Sequence, residues 1–324
     1  MGELKVEFFS DLLAALPGAV AQGLIWGLMA IGVYITFKVL DLADLTVDGT
    51  MATGGAVCIV MMMNGANVWV ALLCAFIAGM LAGLVTGILH TFMGIPAILA
   101  GILTQLALFS INLRIMDRKA NMAINPDQYD LLVSLRNVRR MTLENPIFVA
   151  AVFTILAIAV LYWFFGTSLG CSIRATGANP NMSRAQGINV SFNKVLGLMI
   201  SNGIVALSSA LYCQYQGFAD INAGRGAIVI GLAAVIIGEV VFSRIFQNFA
   251  LKLLSVSLGA VIYYIVIQIV LTAGLDTNDL KLITAAVVAV FLAIPYWKSK
   301  YFHGYAKKRA AGEVTARKED DGNA

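Results

Sequence analysis

The sequence predicts an all-α fold: a polytopic transmembrane bundle of 8–9 spans with a short helix on its cytoplasmic side. Composition is the first ground. Of 324 residues, 60% are hydrophobic and only 12% charged, about half the charged share of a soluble domain. The second is length. Apolar residues fall in stretches of roughly 18 to 23, enough for a helix to cross a hydrocarbon core of about 30 Å while satisfying its own backbone hydrogen bonds. The third is charge, because Lys and Arg gather in the connectors and the tail and so orient the chain.

Candidate spans fall at residues 17–37, 42–63, 68–90, 96–113, 146–165, 194–214, 226–243, 250–272 and 281–297. They form one membrane domain over residues 17–298. An acidic, amphipathic segment, residues 1–16, precedes it, and a basic tail expected to be disordered, residues 299–324, follows. The first stretch lacks the short apolar run and small-residue cleavage site of a removable signal and is expected to remain in the mature protein. In the second, Asp41, Asp44 and Asp48 argue for a broken or re-entrant start, since carboxylates face lipid only at high cost. If all nine candidates span, the N-terminus lies outside; if residues 42–63 dip in and return, it lies inside. Gly79, Gly83 and Gly87 make a small-residue face for close helix contact, either within the subunit or at a dimer seam.

The tail carries Lys298, Lys300, Lys307, Lys308, Arg309, Arg317 and Lys318, which places it in the cytoplasm. Counting back, residues 166–193 lie inside as well and residues 114–145 outside. The outer loop breaks the positive-inside rule, because it holds Arg114, Arg118, Lys119, Arg136, Arg139 and Arg140. Those cations are candidates for docking an acidic partner surface.

Chemistry is mostly absent from the sequence. It has no phosphate loop, HExxH or GxSxG, and its two histidines, His90 and His303, are far apart. Cys58, Cys74, Cys171 and Cys213 occur singly, without framework spacing. No catalytic residue, metal site or nucleic-acid partner is expected. Polar groups within or beside the spans are candidates for lining a path or capping broken helices: Asp44, Asp48, Gln105, Asn112, Gln214, Gln216 and Glu239. For Glu239, near the cytoplasmic end of its span, a bond to a neighbouring helix is the favoured expectation.

The cytoplasmic loop is the most informative segment. Asn179 suits a helix N-cap, Pro180 its first turn and Gly187 a left-handed end, giving a helix of about two turns. Small residues at Ala175, Gly177, Ala178 and Ala185 keep it slim, and Arg174 and Arg184 supply charge.

The run Ile173-Arg-Ala-Thr-Gly-Ala-Asn179, then Ala185-Gln-Gly-Ile-Asn189 and Lys194, resembles the coupling segment of permeases in the branched-chain amino-acid and simple-sugar class of ATP-binding cassette importers. The likeness continues through Ser201, Ala206 to Ala210 and Gly231 to Gly238, and covers about Gly18 to Tyr296. Asp44-Leu-Thr-Val-Asp48-Gly49 and Ser110-Ile-Asn112-Leu-Arg114-Ile-Met116 are similar to a subgroup paired with aromatic-amino-acid-type binding proteins. Where the branched-chain branch has Asn-Phe-Ala-His-Gly, this chain has the Asp-Leu-Thr-Val-Asp-Gly run, which weakens any expectation of leucine-type solutes.

The resemblance implies a multi-pass permease subunit in a bacterial plasma (inner) membrane, working by alternating access. Arg174, Ala175, Gly177, Asn179, Arg184, Ala185, Gly187 and Asn189 would dock into a separate ATPase subunit, which would bind the ATP and magnesium. An extracytoplasmic binding protein would deliver a small solute, an amino acid and in this subgroup an aromatic one. The permease would pair as a homodimer in lipid. The alternative is a stand-alone secondary transporter, which would show inverted repeats with deep ionisable groups. No such repeat is evident, and an intramembrane enzyme would need a compact catalytic set that is not found.

Overall fold

A computed structural model describes residues 2–126, 128–129, 131–138, 145–242, 245–273, 282, 284–291 and 293, excepting the side chains of residues 2–8 and 137. The chain divides into a unit Met1–Thr277 and a second unit Asn278–Ala324. In the second, residues 284–290 are helical, within the predicted span 281–297, and the basic tail lies outside the described residues.

The first unit is built from α1 (Gly2–Tyr34), α2 (Thr46–Met63), α3 (Val68–Thr91), α4 (Ala97–Ile115), α5 (Pro146–Gly166), α6 (Ser168–Ala178), α7 (Pro180–Ala185), α8 (Val190–Gln216), α9 (Ala227–Phe242) and α10 (Phe249–Thr272). Among the described residues, seven helices are long and apolar enough to cross a membrane. α9 is not: its 16 residues rise about 24 Å. α1 runs unbroken through Pro17, so the helix of residues 2–16 continues into the first span. It closes in a π turn, Ile35–Val39, before Asp41 turns the chain through φ 54°.

α1, α2 and α8 form the centre. Most of their span residues are buried (78%, 72% and 67%), against 28% in α4 and 17% in α5, which stand at the periphery. A helix apolar on all sides needs a protein surround or lipid, and α1, α2 and α8 find the protein surround within the subunit.

Contacts fix the helix directions. Ser201 Oγ donates to the Gly32 carbonyl at 2.7 Å and Ser208 Oγ to that of Ile25 at 2.7 Å, so α1 and α8 are antiparallel. Thr50 Oγ1 donates to Asn202 Oδ1 at 2.7 Å and Gln214 Nε2 to Cys58 Sγ at 3.5 Å, so α2 runs parallel to α8. α3 returns antiparallel. Its Gly79 and Gly83 abut the carbonyls of Asn202 and Leu198, and Gly87 abuts Val195. A Cβ at Gly79 or Gly83 would overlap backbone, so the small-residue face packs within the subunit. Gly23 and Gly27 meet Val261 and Ser257, setting α10 antiparallel to α1.

One end of the bundle therefore carries α6 and α7. The other carries a two-stranded antiparallel ribbon, β1 (Asn121–Ala123) with β2 (Phe218–Asp220), that joins the loop after α4 to the loop after α8. α2 passes from within the bundle to the ribbon end, so residues 42–63 cross rather than dip and return. The first residues of α1 lie at the ribbon end, opposite α6 and α7, as the nine-span count expects.

Between β2 and α9 the chain re-enters the bundle. Residues 221–226 descend beside α2 until Gly224 abuts the Asp48 carbonyl, and Gly226 turns at φ +87° into α9. The loop supplies the part of the crossing that α9 is too short to make. A Cβ at Gly224 would overlap that carbonyl, which explains a glycine there.

Candidate functional site

At the coupling end, a succession of side-chain caps shapes the segment before α8. Thr167 Oγ1 accepts from Gly170 N at 3.3 Å to start α6; Asn179 Oδ1 accepts from Met182 N at 3.0 Å to start α7; Asn189 Oδ1 accepts from Phe192 N at 3.0 Å to start α8. Pro180 occupies the first turn of α7, and Gly187 ends the turn after it at φ +77°. Each cap answers a backbone N–H that a helix start leaves without a partner. The caps and the left-handed glycine match the expectation from sequence; the helix α6 before them does not appear in that reading.

The eight predicted coupling residues divide by direction. Arg174, Ala175, Asn179, Arg184, Ala185, Gly187 and Asn189 are exposed. Gly177 faces inward, where a Cβ would overlap the Val39 carbonyl at the end of α1. Asn193 Nδ2 of α8 donates to Thr176 Oγ1 at 3.0 Å, so α6 is fastened to both α1 and α8. Two further residues stand out on the exposed side, Met182 at 63% and Phe192 at 53% exposure. Met182 lies on α7 and Phe192 on α8, and two large apolar side chains beside the caps of a polar, cationic connector were the signal available for them.

Arg174 lies over the Phe249 ring, 5.3 Å from guanidinium carbon to centroid. It walls a cavity of about 390 Å³ together with Tyr34, Lys38, Asp41, Gly177 and Lys252. Beside it Glu239 pairs with Lys38 at 2.8 Å. Glu239 thus binds a neighbouring helix at the coupling end, and sequence reasoning overlooked its partner.

The centre of the bundle gathers polar groups. Asp44 Oδ1 accepts from Thr46 N at 2.9 Å and Oδ2 from Asn202 Nδ2 at 2.7 Å, which caps α2 and ties it to α8. The hydroxyls of Thr46 and Thr86 lie 2.7 Å apart, and Thr86 donates to Thr104 at 2.9 Å, linking α2, α3 and α4. Asp48 accepts from Gly226 N and Ile228 N, each at 3.0 Å, and so caps α9 from within the bundle. A carboxylate there also answers the positive end of the helix dipole. Asn202 lies about 18 Å from the start of α8 and about 21 Å from its end, at mid-depth.

The other path candidates do not join this network. Gln214 reaches Cys58 and, through Oε1, accepts from Leu132 N at 3.1 Å, holding the ribbon-end loop. Gln216 Nε2 donates to Tyr212 at 3.0 Å. Gln105 is half-buried on α4, its backbone against Gly49. Asn112 is wholly buried with neither amide atom hydrogen-bonded. Absent from the sequence reading is Arg225, on the re-entrant loop, whose guanidinium lies 5.9 Å from the Phe109 ring centroid.

At the ribbon end, Arg114, Arg118, Lys119 and Arg136 are exposed. Asp117 and Arg118 take left-handed φ values of 51° and 61° where α4 ends. Met116, Met122, Ile124 and Val133 are buried beneath, so the loop is seated on the core. Arg139 and Arg140 lie outside the described residues. The described cations lie at the end opposite α6 and α7.

No group of three or more His, Cys, Asp or Glu is placed to hold a metal among the described residues. The described site thus has a capped helical segment at one end, an exposed cationic loop at the other and a polar network that holds helix starts between them.

Residues 16–296 match the family model "Branched-chain amino acid transport system / permease component". The chain is 39% identical over 281 residues to the tyrosine transport system permease protein of Clostridioides difficile, covering 87% of this chain and 91% of that one. It is 34% identical over 280 residues to an uncharacterised protein of Rickettsia prowazekii, covering 85% and 95%. The fructose import permease protein FruF of Bifidobacterium longum is 25% identical over 284 residues, covering 85% and 75%. No solved structure matches the chain. With the family match spanning nearly all of a multi-pass bundle that carries the capped α6–α7 segment, the chain belongs to the branched-chain amino acid transport system permease family, as an ATP-binding cassette transport permease subunit.

Proposed function

We propose that this chain forms the translocation path of an ATP-binding cassette importer for a small solute, an amino acid of the aromatic kind. An extracytoplasmic binding protein delivers the solute to the ribbon end, and a separate ATPase subunit, which holds the ATP and magnesium, grips α6 and α7. Two copies of the permease enclose the path in a bacterial plasma membrane, with the C-terminal tail in the cytoplasm.

The observation that carries this reading is the fastening of α6. Gly177 sits against Val39 of α1, and Asn193 of α8 bonds Thr176. A displacement of α6 by a partner therefore acts on both helices, and α8 carries Asn202 of the mid-depth network. The exposed Met182, Arg184 and Phe192 offer that partner an apolar and cationic grip. Arg114, Arg118 and Lys119 give the opposite end a cationic surface suited to acidic groups on a binding protein. The aromatic solute is supported by the tyrosine-transport relative at 39% identity.

The test is uptake in proteoliposomes holding this permease with the ATPase that copurifies with it from native membranes and its binding protein. ATP-dependent accumulation of L-tyrosine or L-phenylalanine, lost without the binding protein, is the expected result. Solute movement that proceeds without an ATPase contradicts the proposal.

A further inference from the structure

Arg225 is an unusual cation. It stands in the re-entrant loop, one residue before Gly226, whose N–H bonds Asp48. Asp48 lies 15 residues, about 22 Å, from the ribbon end of α2. The Arg225 guanidinium lies over Phe109, which is six residues, about 9 Å, inside the ribbon end of α4. The charge therefore sits within the depth of the spans. The side chain is exposed in the subunit, and no carboxylate among the described residues is within ion-pairing distance. Asp48 is turned to the start of α9, where its oxygens accept from Gly226 and Ile228.

Lipid does not fit this surface. A guanidinium at such depth is costly against hydrocarbon, and irregular backbone is tolerated there only where it meets protein or a water-filled cavity. Gln105 lies one turn from Phe109 along α4, toward the coupling end, and is half-buried. The loop and α4 thus present an arginine over an aromatic face, with an amide one turn further along the direction a solute would travel from the ribbon end.

We propose that Arg225 is the carboxylate-binding residue of the path, its planar fork pairing with the α-carboxylate of an amino-acid solute while Phe109 lies beneath the guanidinium. Bidentate, charge-assisted pairing is what an arginine offers a carboxylate and a lysine does not. This deepens the amino-acid reading above and rests on it.

The test uses the complete transporter in proteoliposomes, with L-tyrosine as probe, comparing wild type with Arg225→Ala, Arg225→Gln and Arg225→Lys. Copurification of the second permease copy and of the ATPase, and basal ATP hydrolysis, report assembly. The expected result is at least a tenfold loss of uptake in Arg225→Ala and Arg225→Gln with assembly and basal hydrolysis unchanged, and a KM raised several-fold in Arg225→Lys. Arg225→Ala transporting within twofold of wild type overturns the inference and leaves the amino-acid reading intact. Loss of the second permease copy from Arg225→Ala also overturns it, by assigning the residue to a subunit seam. If Arg225→Ala does not fold, Arg225→Lys decides, and an unchanged KM overturns the inference. A wild-type complex that hydrolyses ATP but carries no amino acid overturns the reading beneath it as well.

Discussion

Asp44 and Asp48 are four residues apart, yet they hold different helices. Asp44 starts α2 and reaches Asn202, while Asp48 holds the start of α9. A hydrogen bond to a charged group contributes about 1.5–3 kcal/mol, and a buried donor left unanswered costs about as much. Asp48→Ala should therefore lower stability by roughly 2–4 kcal/mol, seen as an earlier thermal transition in detergent with α9 losing amide-exchange protection first. Unchanged protection in residues 226–230 would count against the cap. The sequence showed that carboxylates near a span must have a purpose. Their partners lie more than 150 residues away in the chain, and no local pattern points to them. Arg225 was hidden for the same reason, since residues 217–226 read as an ordinary connector until their descent beside α2 is seen.

At the scale of elements, the spans were legible because lipid demands length and apolarity, and both can be read directly. The turn Asn179-Pro180 to Gly187 was equally legible, since each residue has a local reason to be there. The direction of Gly177 was not, because it depends on where α1 ends. That difference can be measured. Gly177→Ala forces a Cβ onto the Val39 carbonyl and should sharply reduce the yield of folded permease, whereas Gly187→Ala meets no atom and should cost only about 1 kcal/mol of local strain at its positive φ. Size-exclusion profiles in a mild detergent distinguish the two, and equal behaviour would contradict the packing of α6 on α1. Gly83→Val tests the α3–α8 contact in the same way: the bulk meets the Leu198 carbonyl, and aggregation is the expected outcome.

The first unit has two distinct ends and a polar middle. The parity count from the basic tail already separated residues 166–193 from residues 114–145, and the helix directions reproduce that separation, although the tail itself lies outside the described residues. Cys171, exposed on α6, is a native probe of sidedness. A membrane-impermeant maleimide should label it in inside-out vesicles and spare it in intact spheroplasts, while a cysteine replacing Lys119 should show the reverse. Labelling of both from one side would contradict the fold's placement of the two ends.

The central claim is that α6 and α7 dock a separate ATPase, and copurification tests it most directly. Tagged permease is drawn from native membranes in mild detergent and compared with Met182→Glu and Arg184→Glu, which alter exposed side chains and leave the Gly177 contact alone. The account predicts an ATPase subunit with the wild type, lost from both variants while the permease stays monodisperse. An ATPase retained by both, or absent from the wild type across several detergents, would contradict it.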